Sequence, residues 1–532
     1  MENKIILFNS KARKEIKNGI DTLANAVKTT LGPQGQCVVI GDFINGQPHV
    51  TKDGVTVAKN IQLENKAANM GAQLIREAAL KTVAEVGDAT TTSTVLAQSF
   101  INHAEDFLKN NANPMLLKKG INEASKIVTN IINKEAKIIT DKDINHIATI
   151  SANNDPEIGN LIADAFKKIT NDGVITVEES NNINTYVDII SGMQFDRGYV
   201  APHFVTDAVK NECVLIKPKI LITEQKINLT REIVHIMEYC LNNNYPLLII
   251  AQDYDPEVIE NLKMNALQGI LKVCAIKAPS FGDYRKDVLE DLSILTDGIN
   301  ISYDSEVLLQ NVDPALDLGS CNKVIITKDT TTIIGGNGDS DDVKKRIEEL
   351  KYSLNKSESD FMTDFLKLRI AKLAGGVATI YVGGNTELEM RERKDRVDDA
   401  VAATKAAISE GIVAGGGITY LKCIDALKSF KNGQEQDFIN GVNIIQYGLH
   451  SIYHTLLENA NHPYEICDYQ NNIGFDAKNE KMVNMYDAGI IDPAKASKLA
   501  FQNAVSVLNL YLSISCIIVP KVENPFLDLN KM

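Results

Sequence analysis

The pattern of helical and β-rich segments changes twice along the 532-residue chain, and this constrains the fold more than any other feature. Residues 12–170 are mostly helical in pattern, with short β-rich runs near residues 37–54. Between about residues 172 and 335, β-rich runs such as residues 246–250 alternate with amphipathic helices, which is typical of an α/β domain. From about residue 340 the chain is mostly helical again. Helical ends around an α/β middle predict a discontinuous outer domain with a second domain inserted into it.

Composition narrows the class of protein. A chain of this length is too long for one compact core. The formal net charge of −14 disfavours nucleic acid or an anionic membrane as the main partner. No apolar run reaches the length of about 20 residues that spans a bilayer, and the amino-terminal residues do not resemble a signal peptide. The eight cysteines are scattered without a CxxC pair, which disfavours structural zinc and indicates reduced thiols. We therefore expect a cytoplasmic protein that binds neither nucleic acid nor membrane.

The segment VGDATTTST at residues 86–94 could form a phosphate site. Asp88 stands at the predicted start of a helix and is followed by Thr90, Thr91 and Thr92. Such a segment offers free backbone N–H groups, hydroxyl donors and the positive end of the helix dipole, and the Asp could bind Mg²⁺. The alternative is an ordinary helix N-cap, which this segment taken alone favours.

Three other motifs remain ambiguous when each is taken alone. TTLGPQG at residues 29–35 predicts a tight loop after a helix, or a simple C-cap. KDG at residues 52–54 predicts a hairpin turn with a solvated charge pair, and Asn45-Gly46 predicts another turn. VAGGG at residues 413–417 would let the backbone approach a ligand or a crossing helix closely. The chain contains no GxxxxGK[ST], GxSxG or HExxH motif, which excludes P-loop enzymes and two common hydrolase classes.

Ten sequence blocks occur in order along the chain: LGPQG, TKDGVTVAK, GDATTTSTVLA, ATISANND, GMQFDRGY, PLLIIAQD, IKAPSFGD, LAGGVATIYVGG, RKDRVDDAVAATKAAISEGIVAGGG and AGIIDPAKA. Together they resemble the group I chaperonin family, of which GroEL is the type. The resemblance extends from about residue 11 to residue 518.

The resemblance implies a mixed α/β, multi-domain, GroEL-like fold. A mostly helical, discontinuous equatorial domain would comprise residues 1–134 and 411–532. A small intermediate domain would comprise residues 135–191 and 377–410, and an inserted α/β apical domain residues 192–376.

The resemblance also implies a function. The chain would be an ATP-dependent chaperonin that encloses non-native proteins in a ring-shaped cavity and hydrolyses ATP to ADP and phosphate with Mg²⁺, with K⁺ as a further candidate cation. Its partners would be unfolded client proteins, a GroES-type co-chaperonin and identical subunits in a seven-membered ring or rings. The alternative is a chaperonin-fold scaffold or binding protein whose ATP turnover is lost or very slow. A small-molecule kinase would need an acceptor pocket, for which the sequence contains no motif.

Site residues follow from the resemblance by position. Those expected to contact ATP are Thr30, Leu31, Gly32, Pro33, Lys52, Asp88, Ala89, Thr90, Thr91, Thr92, Ile150, Ser151, Gly416, Asp476, Ala477 and Asp492. Asp88 would also bind Mg²⁺, Asp399 would position the attacking water, and Asp53 would assist. The surface for clients and co-chaperonin would comprise Tyr199, His203, Phe204, Val234, Met237, Ile259 and Met264.

Several positions depart from the family pattern. Ala89 stands where the family has Gly, which predicts slower hydrolysis, and Asp476 replaces an Asn, which predicts altered base contacts. Lys263 replaces an apolar residue that faces the client, so client affinity should change. Tyr453 and His462 replace an Arg and a Glu that join back-to-back rings, which predicts weaker ring–ring association.

Overall fold

A computed structural model of the chain describes residues 4–41, 48–152, 155–169, 174–180, 183–207, 210–303, 308–356, 359–375, 377–430 and 435–520. The chain forms two compact units. The first unit comprises Met1–Ala163 and Asp395–Met532, and the second comprises Asp164–Lys394.

The described residues of both units form helices and strands. The helices are α1 (Asn9–Lys28), α2 (Gly54–Asn60), α3 (Lys66–Val86), α4 (Thr90–Lys109), α5 (Pro114–Glu135), α6 (Asp141–Ser151), α7 (Pro156–Lys168), α8 (Val234–Asn242), α9 (Pro256–Leu267), α10 (Asp283–Thr296), α11 (Ser340–Lys356), α12 (Asp360–Gly375), α13 (Glu387–Glu410), α14 (Ile418–Ser429), α15 (Gln436–Gly448), α16 (Ser451–Asn459) and α17 (Ala494–Ser513). The strands are β1 (Lys4–Phe8), β2 (Val38–Gly41), β3 (Pro48–Thr51), β4 (Val174–Glu179), β5 (Tyr186–Ile190), β6 (Gly192–Phe195), β7 (Cys213–Ile216), β8 (Lys219–Thr223), β9 (Lys226–Ile227), β10 (Leu247–Ala251), β11 (Asp253–Tyr254), β12 (Val273–Lys277), β13 (Asn300–Ile301), β14 (Gly319–Ile326), β15 (Thr331–Gly336), β16 (Val377–Val382), β17 (Ile412–Ala414), β18 (Ile473–Asp476), β19 (Lys481–Asn484), β20 (Ile491–Pro493) and β21 (Cys516–Pro520).

The first unit is a helical bundle around a large apolar core, with two smaller apolar clusters beside it. Helix α1 packs against α3 and α4, and α17 packs against α3, α4 and α5. The backbones of α1 and α3 come unusually close at Gly19 and Gly71. A Cβ at Gly19 would lie 1.7 Å from the carbonyl oxygen of Ala68, so only glycine fits there. Four antiparallel two-stranded sheets lie around the bundle: β1 with β21, β2 with β3, β17 with β20, and β18 with β19.

The second unit contains the α/β part of the chain. Its eight-stranded sheet has the main order β12-β10-β8-β14-β15-β6, with β13 beside β8 and β7 beside β14. The central strand β10 is parallel to both neighbours and every one of its residues is buried, which explains its continuous apolar sequence. A separate sheet places β16 parallel to β4 and antiparallel to β5.

A buried ion-pair network joins three helices of the second unit. The Asp291 carboxylate on α10 is almost inaccessible to solvent and accepts hydrogen bonds from two guanidinium groups. Arg369 Nε on α12 lies 2.7 Å from Asp291 Oδ2, and Arg346 Nε on α11 lies 2.9 Å from Asp291 Oδ1. Because both carboxylate oxygens are paired, the buried charge is compensated.

The structure confirms the predicted fold class, with helical terminal segments and an α/β middle, and corrects two local predictions. Lys52-Asp53-Gly54 is not a hairpin turn, because Asp53 caps α2 and accepts hydrogen bonds from the N–H groups of Val55 and Thr56 at 3.0 and 2.8 Å. The helix expected to open at Asp88 begins at Thr90. The predicted turn at Asn45-Gly46 lies outside the described residues.

Tyr453 and His462, the two positions expected to weaken ring–ring association, differ in their exposure. Its side chain belongs to the core of the first unit, and its hydroxyl donates to the carbonyl oxygen of Glu465 at 3.1 Å. Tyr453 therefore has no exposed surface to present to another ring, whereas the ring of His462 packs on Phe475 at 4.5 Å between centroids and stays partly exposed. The predicted weakening of ring–ring association stays a prediction.

Two expectations from composition can be compared with the structure. Among the described helices, none has the length and apolar character needed to cross a membrane. All eight cysteines are free thiols.

Candidate functional site

A cavity of about 690 Å³ in the first unit brings the predicted site residues together. All residues expected to contact ATP line it, and so do Asp53 and Asp399. They come from segments far apart in the sequence: the end of α1, the loop before α2, the start of α4, α6, α13, the turn after β17, and strands β18 and β20. Their roles stay predictions, but the structure places them around one space.

The loop after α1 forms one wall of the cavity. Thr30 Oγ1 donates to the carbonyl oxygen of Val27 at 2.8 Å and so fastens the loop to the helix. Gly32 adopts a φ of +81°, a conformation that favours glycine, and this turns the chain toward Pro33. The carbonyl oxygen of Pro33 accepts a hydrogen bond from Lys52 Nζ at 3.1 Å, while partial burial lowers the pKa of Lys52. The loop thus holds the ammonium group of Lys52 at the cavity wall.

The amino terminus of α4 opens onto the cavity without a side-chain cap. Gly87 and Ala89, on either side of Asp88, both have left-handed backbones, with φ of +71° and +68°. The Asp88 carboxylate accepts from the N–H of Ala89 and from Ser151 Oγ, the latter at 3.2 Å, so Asp88 is not the N-cap that the segment alone suggested. The positive end of the helix dipole and Thr90–Thr92 therefore face a space that an anion could occupy.

Burial, and to a smaller extent neighbouring carboxylates, raises the pKa of three aspartates in this cavity. Burial raises the pKa of Asp399 to about 8, and the nearby Asp53 and Asp88 add to the effect. Burial raises the pKa of Asp492 to about 7, with Asp88 contributing. The pKa of Asp88 is also raised, by burial first and by Asp53 last, although its two hydrogen bonds oppose the shift. Close carboxylates of this kind favour the entry of positive charge.

The carboxylates of the cavity fit a Mg²⁺ ion that is bound together with phosphate better than a metal ion that is bound by protein side chains alone. Within the described part of the chain, no three His, Cys, Asp or Glu side chains are grouped closely enough to hold a metal ion. Mg²⁺ in phosphate-transfer sites is usually held by one or two carboxylates together with phosphate oxygens and water. Asp88, between the helix terminus and the other carboxylates, is the residue that would hold it.

A second wall is formed by the glycine turn and two short strands. Gly416 has a φ of +63°, and a Cβ there would lie 3.4 Å from the Met485 methyl group. Pairing of β17 with β20 sets Val413 opposite Asp492 and brings that carboxylate beside the turn. Asp476 is held by its own neighbours: its Oδ1 accepts from the N–H groups of Lys478 and Asn479 at 3.0 and 3.2 Å. Most of its acceptor capacity is therefore used within the loop, and its effect on base contacts stays a prediction.

Sequence reasoning missed several residues of the cavity. Arg396 lies three positions before Asp399 on α13 and lines the same space, so the i, i+3 spacing could have indicated it. His146 on α6 also lines the cavity, and so do the apolar side chains of Leu456 and Phe475. Arg396 lies in one of the ten ordered blocks and Phe475 beside Asp476, but neither residue type has a role of its own in the family pattern, so the sequence did not single them out.

The predicted client surface is only partly exposed. In the second unit, α8 and α9 border a groove of about 320 Å³ whose lining includes Val234 and Met237. Val234 and Met264 are 36% and 48% exposed, and His203 is exposed, whereas Met237, Ile259 and Tyr199 are half-buried. The prediction that Phe204 belongs to this surface is wrong, because its side chain is only 2% exposed. A short 3₁₀ turn, Pro202–Phe204, packs against α9 and β12, and this buries the ring in the core of the unit.

Comparisons with known proteins agree with this architecture. Two crystal forms of the chaperonin gp146 from the bacteriophage EL 2 (Pseudomonas aeruginosa) share the fold. Form II matches with a TM-score of 0.69 and 20% identity over 97% of this chain and 100% of that chain. Form I gives a TM-score of 0.63 and 20% identity over 97% and 99%. The sequence profile of the TCP-1/cpn60 chaperonin family matches residues 23–522. The chain belongs to the TCP-1/cpn60 chaperonin family.

Proposed function

We propose that the chain is an ATP-driven chaperonin that hydrolyses ATP with Mg²⁺ and uses the cycle to assist the folding of non-native proteins. The observation that carries the proposal is the single cavity in which the open amino terminus of α4 meets Asp53, Asp88 and Asp399. The similar phage chaperonin was crystallised in the presence of ATP-BeFx, which supports a nucleotide in the corresponding fold.

The chain's own residues account for the steps of hydrolysis. The backbone N–H groups at the start of α4 and the hydroxyls of Thr90–Thr92 would bind the phosphates, with Lys52 adding charge. Asp88 would hold Mg²⁺, which supplies positive charge against the phosphate oxygens when bound, and K⁺ is a further candidate cation. Asp399 would take the proton of the attacking water as its oxygen bonds to the γ-phosphorus and the bond to ADP breaks. Asp53 would help to orient that water.

Asp399 can act as a base only when it is ionised. Without nucleotide, its pKa of about 8 keeps it largely protonated at neutral pH. Positive charge that enters with the nucleotide would lower this pKa, because an opposite charge nearby favours the carboxylate. Proton acceptance would therefore depend on a loaded site.

Client binding is proposed for the groove between α8 and α9. Its lining combines Val234, Met237 and Leu241 with polar side chains, and exposed apolar surface of this kind binds unfolded segments. The same surface would take a GroES-type co-chaperonin.

Assembly into a seven-membered ring, or into rings, is supported by two exposed sheets of the first unit. The β1–β21 sheet exposes Ile6, Phe8 and Ile518, and the β2–β3 sheet exposes Val39 and Val50. Two-stranded sheets with free edges and exposed apolar residues favour pairing with another chain. The free cysteines support a reducing compartment, and we propose the cytoplasm.

A second candidate is a chaperonin-fold scaffold without appreciable turnover. Two observations favour it: the left-handed backbone of Ala89 beside the proposed phosphate site, and the raised pKa of Asp399. Either could make the chemical step slow.

Steady-state phosphate release from ATP with Mg²⁺ distinguishes the two candidates. The wild-type protein is compared with Asp399→Ala and with Glu392→Ala, a control that removes an exposed carboxylate from the same helix. We expect hydrolysis in the wild type and the control and its loss in Asp399→Ala, with rings visible by electron microscopy in all three. Rings without phosphate release in any protein would support the scaffold.

A further inference from the structure

Arg396 lies in the cavity wall, and among the described residues no carboxylate forms an ion pair with it. It lies one helical turn before Asp399 on α13, so the two Cβ atoms are about 5–6 Å apart on one helix face. Its Nε is buried and meets no hydrogen-bond acceptor among the described residues. Since buried polar groups are normally paired, this unpaired N–H calls for an acceptor that enters from outside the chain.

The carboxylates that line the cavity do not pair with Arg396. Asp53, Asp88, Asp399 and Asp492 line the same space, yet none of them forms an ion pair with Arg396 in the described part of the chain. Arg369 and Arg346 are paired with Asp291, whereas the buried Nε atoms of Arg13 and Arg285 also lack an acceptor among the described residues, so it is the position of Arg396 in the cavity wall that sets it apart. A guanidinium kept free beside carboxylates remains available for a ligand.

The shape of the guanidinium group favours one kind of ligand. Its planar set of N–H donors matches the oxygens of a phosphate in a bidentate arrangement, and its charge persists at all physiological pH values. Arg396 shares the cavity with the amino terminus of α4, where phosphates would bind, and shares its helix with Asp399, where the water would be held. In the proposed hydrolysis, the reacting phosphoryl group would lie between these two positions.

We propose that Arg396 is a catalytic residue of this site, whose guanidinium donates hydrogen bonds to the oxygens of the phosphoryl group being transferred. It stabilises the negative charge that develops as the water oxygen bonds to the γ-phosphorus and the bond to the ADP oxygen breaks. No proton leaves Arg396, and the proton of the water goes to Asp399. The proposal rests on the proposed ATP hydrolysis.

The test separates catalysis from binding and from folding. Arg396→Ala and Arg396→Lys are compared with Arg391→Ala, which removes an exposed arginine paired with Glu387 on the same helix. Removing a charge-stabilising donor from a phosphoryl-transfer site costs about 100-fold or more in rate. We expect that loss in kcat for Arg396→Ala with KM nearly unchanged, no more than partial activity for Arg396→Lys, and wild-type rates for Arg391→Ala.

Two further measurements distinguish a catalytic role of Arg396 from a merely structural one. Calorimetry should show that Arg396→Ala binds ADP with aluminium fluoride at least 10-fold more weakly than the wild type but binds ADP alone equally well. Added guanidinium ion at millimolar concentration should restore part of the activity of Arg396→Ala. Wild-type hydrolysis with an unchanged Arg396→Ala rate would overturn the role of Arg396 alone. A wild type that binds ATP but releases no phosphate would overturn the proposed hydrolysis and this role with it.

Discussion

Replacing Ala89 by Gly should stabilise the protein, although the same change inside a helix destabilises. Ala89 has φ of +68° and ψ of +19°, the left-handed region. An L-residue there costs about 1–2 kcal/mol because its Cβ crowds the following carbonyl oxygen, a strain that glycine does not have. Glycine also lowers the free energy of unfolding by about 0.4–1 kcal/mol, because it gives the unfolded chain more conformational freedom. The net expectation is a gain of about 0.5–1 kcal/mol.

The matched control is Ala84→Gly. Ala84 is exposed and lies within α3, three residues before Gly87, so glycine there should cost about 0.5–1 kcal/mol. The two variants have the same chemical change and opposite expected signs. Thermal unfolding of the protein without nucleotide measures both, and each shift should be about 1–2 °C for a unit of this size.

The same substitution tests the phosphate site. Ala89 lines the cavity beside Asp88, so removing its methyl group enlarges the space at the start of α4. We expect faster ATP hydrolysis by up to about tenfold, which corresponds to about 1.4 kcal/mol in the barrier. If Ala89→Gly lowers the unfolding temperature as much as Ala84→Gly does, the reasoning from backbone strain is wrong.

Three further perturbations have expected outcomes. In the protein without nucleotide, Asp399 should contribute a loss of stability of about 1.4 kcal/mol per pH unit as pH rises from about 4 to about 8, because folded Asp399 with its pKa of about 8 keeps a proton that the unfolded chain has released; Asp492, with its pKa of about 7, should add to this loss. Urea unfolding of Asp399→Asn should show a flatter dependence, and an equal slope would contradict this. Mg²⁺ should raise the unfolding temperature of the wild type but not of Asp88→Asn, measured by calorimetry. Arg369→Met should cost about 3–5 kcal/mol in urea unfolding because it removes a partner of the buried Asp291, whereas Lys344→Ala, at an exposed ion pair, should cost less than about 1 kcal/mol.

The sequence could predict which residues line the cavity, but not the backbone conformation of the segments that carry them. Thr30, Asp88 and Asp399 are far apart in the chain, yet each lies in or directly beside an ordered block that resembles the family, and the structure places all three around one space. The left-handed conformation of Ala89 could not be predicted, because alanine rarely adopts it. The helix cap at Asp53 was missed since Asp-Gly also favours a turn, and only the tertiary setting decides between them.

Exposure was the other property that the sequence could not supply. Phe204 and Tyr453 lie in segments where a residue of the same type could face either the core or solvent. Their burial depends on what packs against them: α9 and β12 cover the segment of Phe204, and the hydroxyl of Tyr453 is bonded to Glu465. The sequence did not predict the position of Arg396 in the cavity, because an arginine in a charged helix is usually solvated.

Several unfavourable features of different kinds meet in the cavity of the first unit, and their combination there argues for function independently of any motif. In the second unit, the buried Asp291 is paired on both oxygens, as expected where selection acts on stability. In the cavity of the first unit, by contrast, Asp88, Asp399 and Asp492 all have raised pKa values, Arg396 has an unpaired buried Nε, and Ala89 has a strained backbone. Each of these features lowers the stability of the empty protein, and natural sequences retain such features mainly where a ligand compensates for them. A ligand that brings both negative phosphates and a divalent cation would compensate for the carboxylates and the arginine together, which no single ion could do.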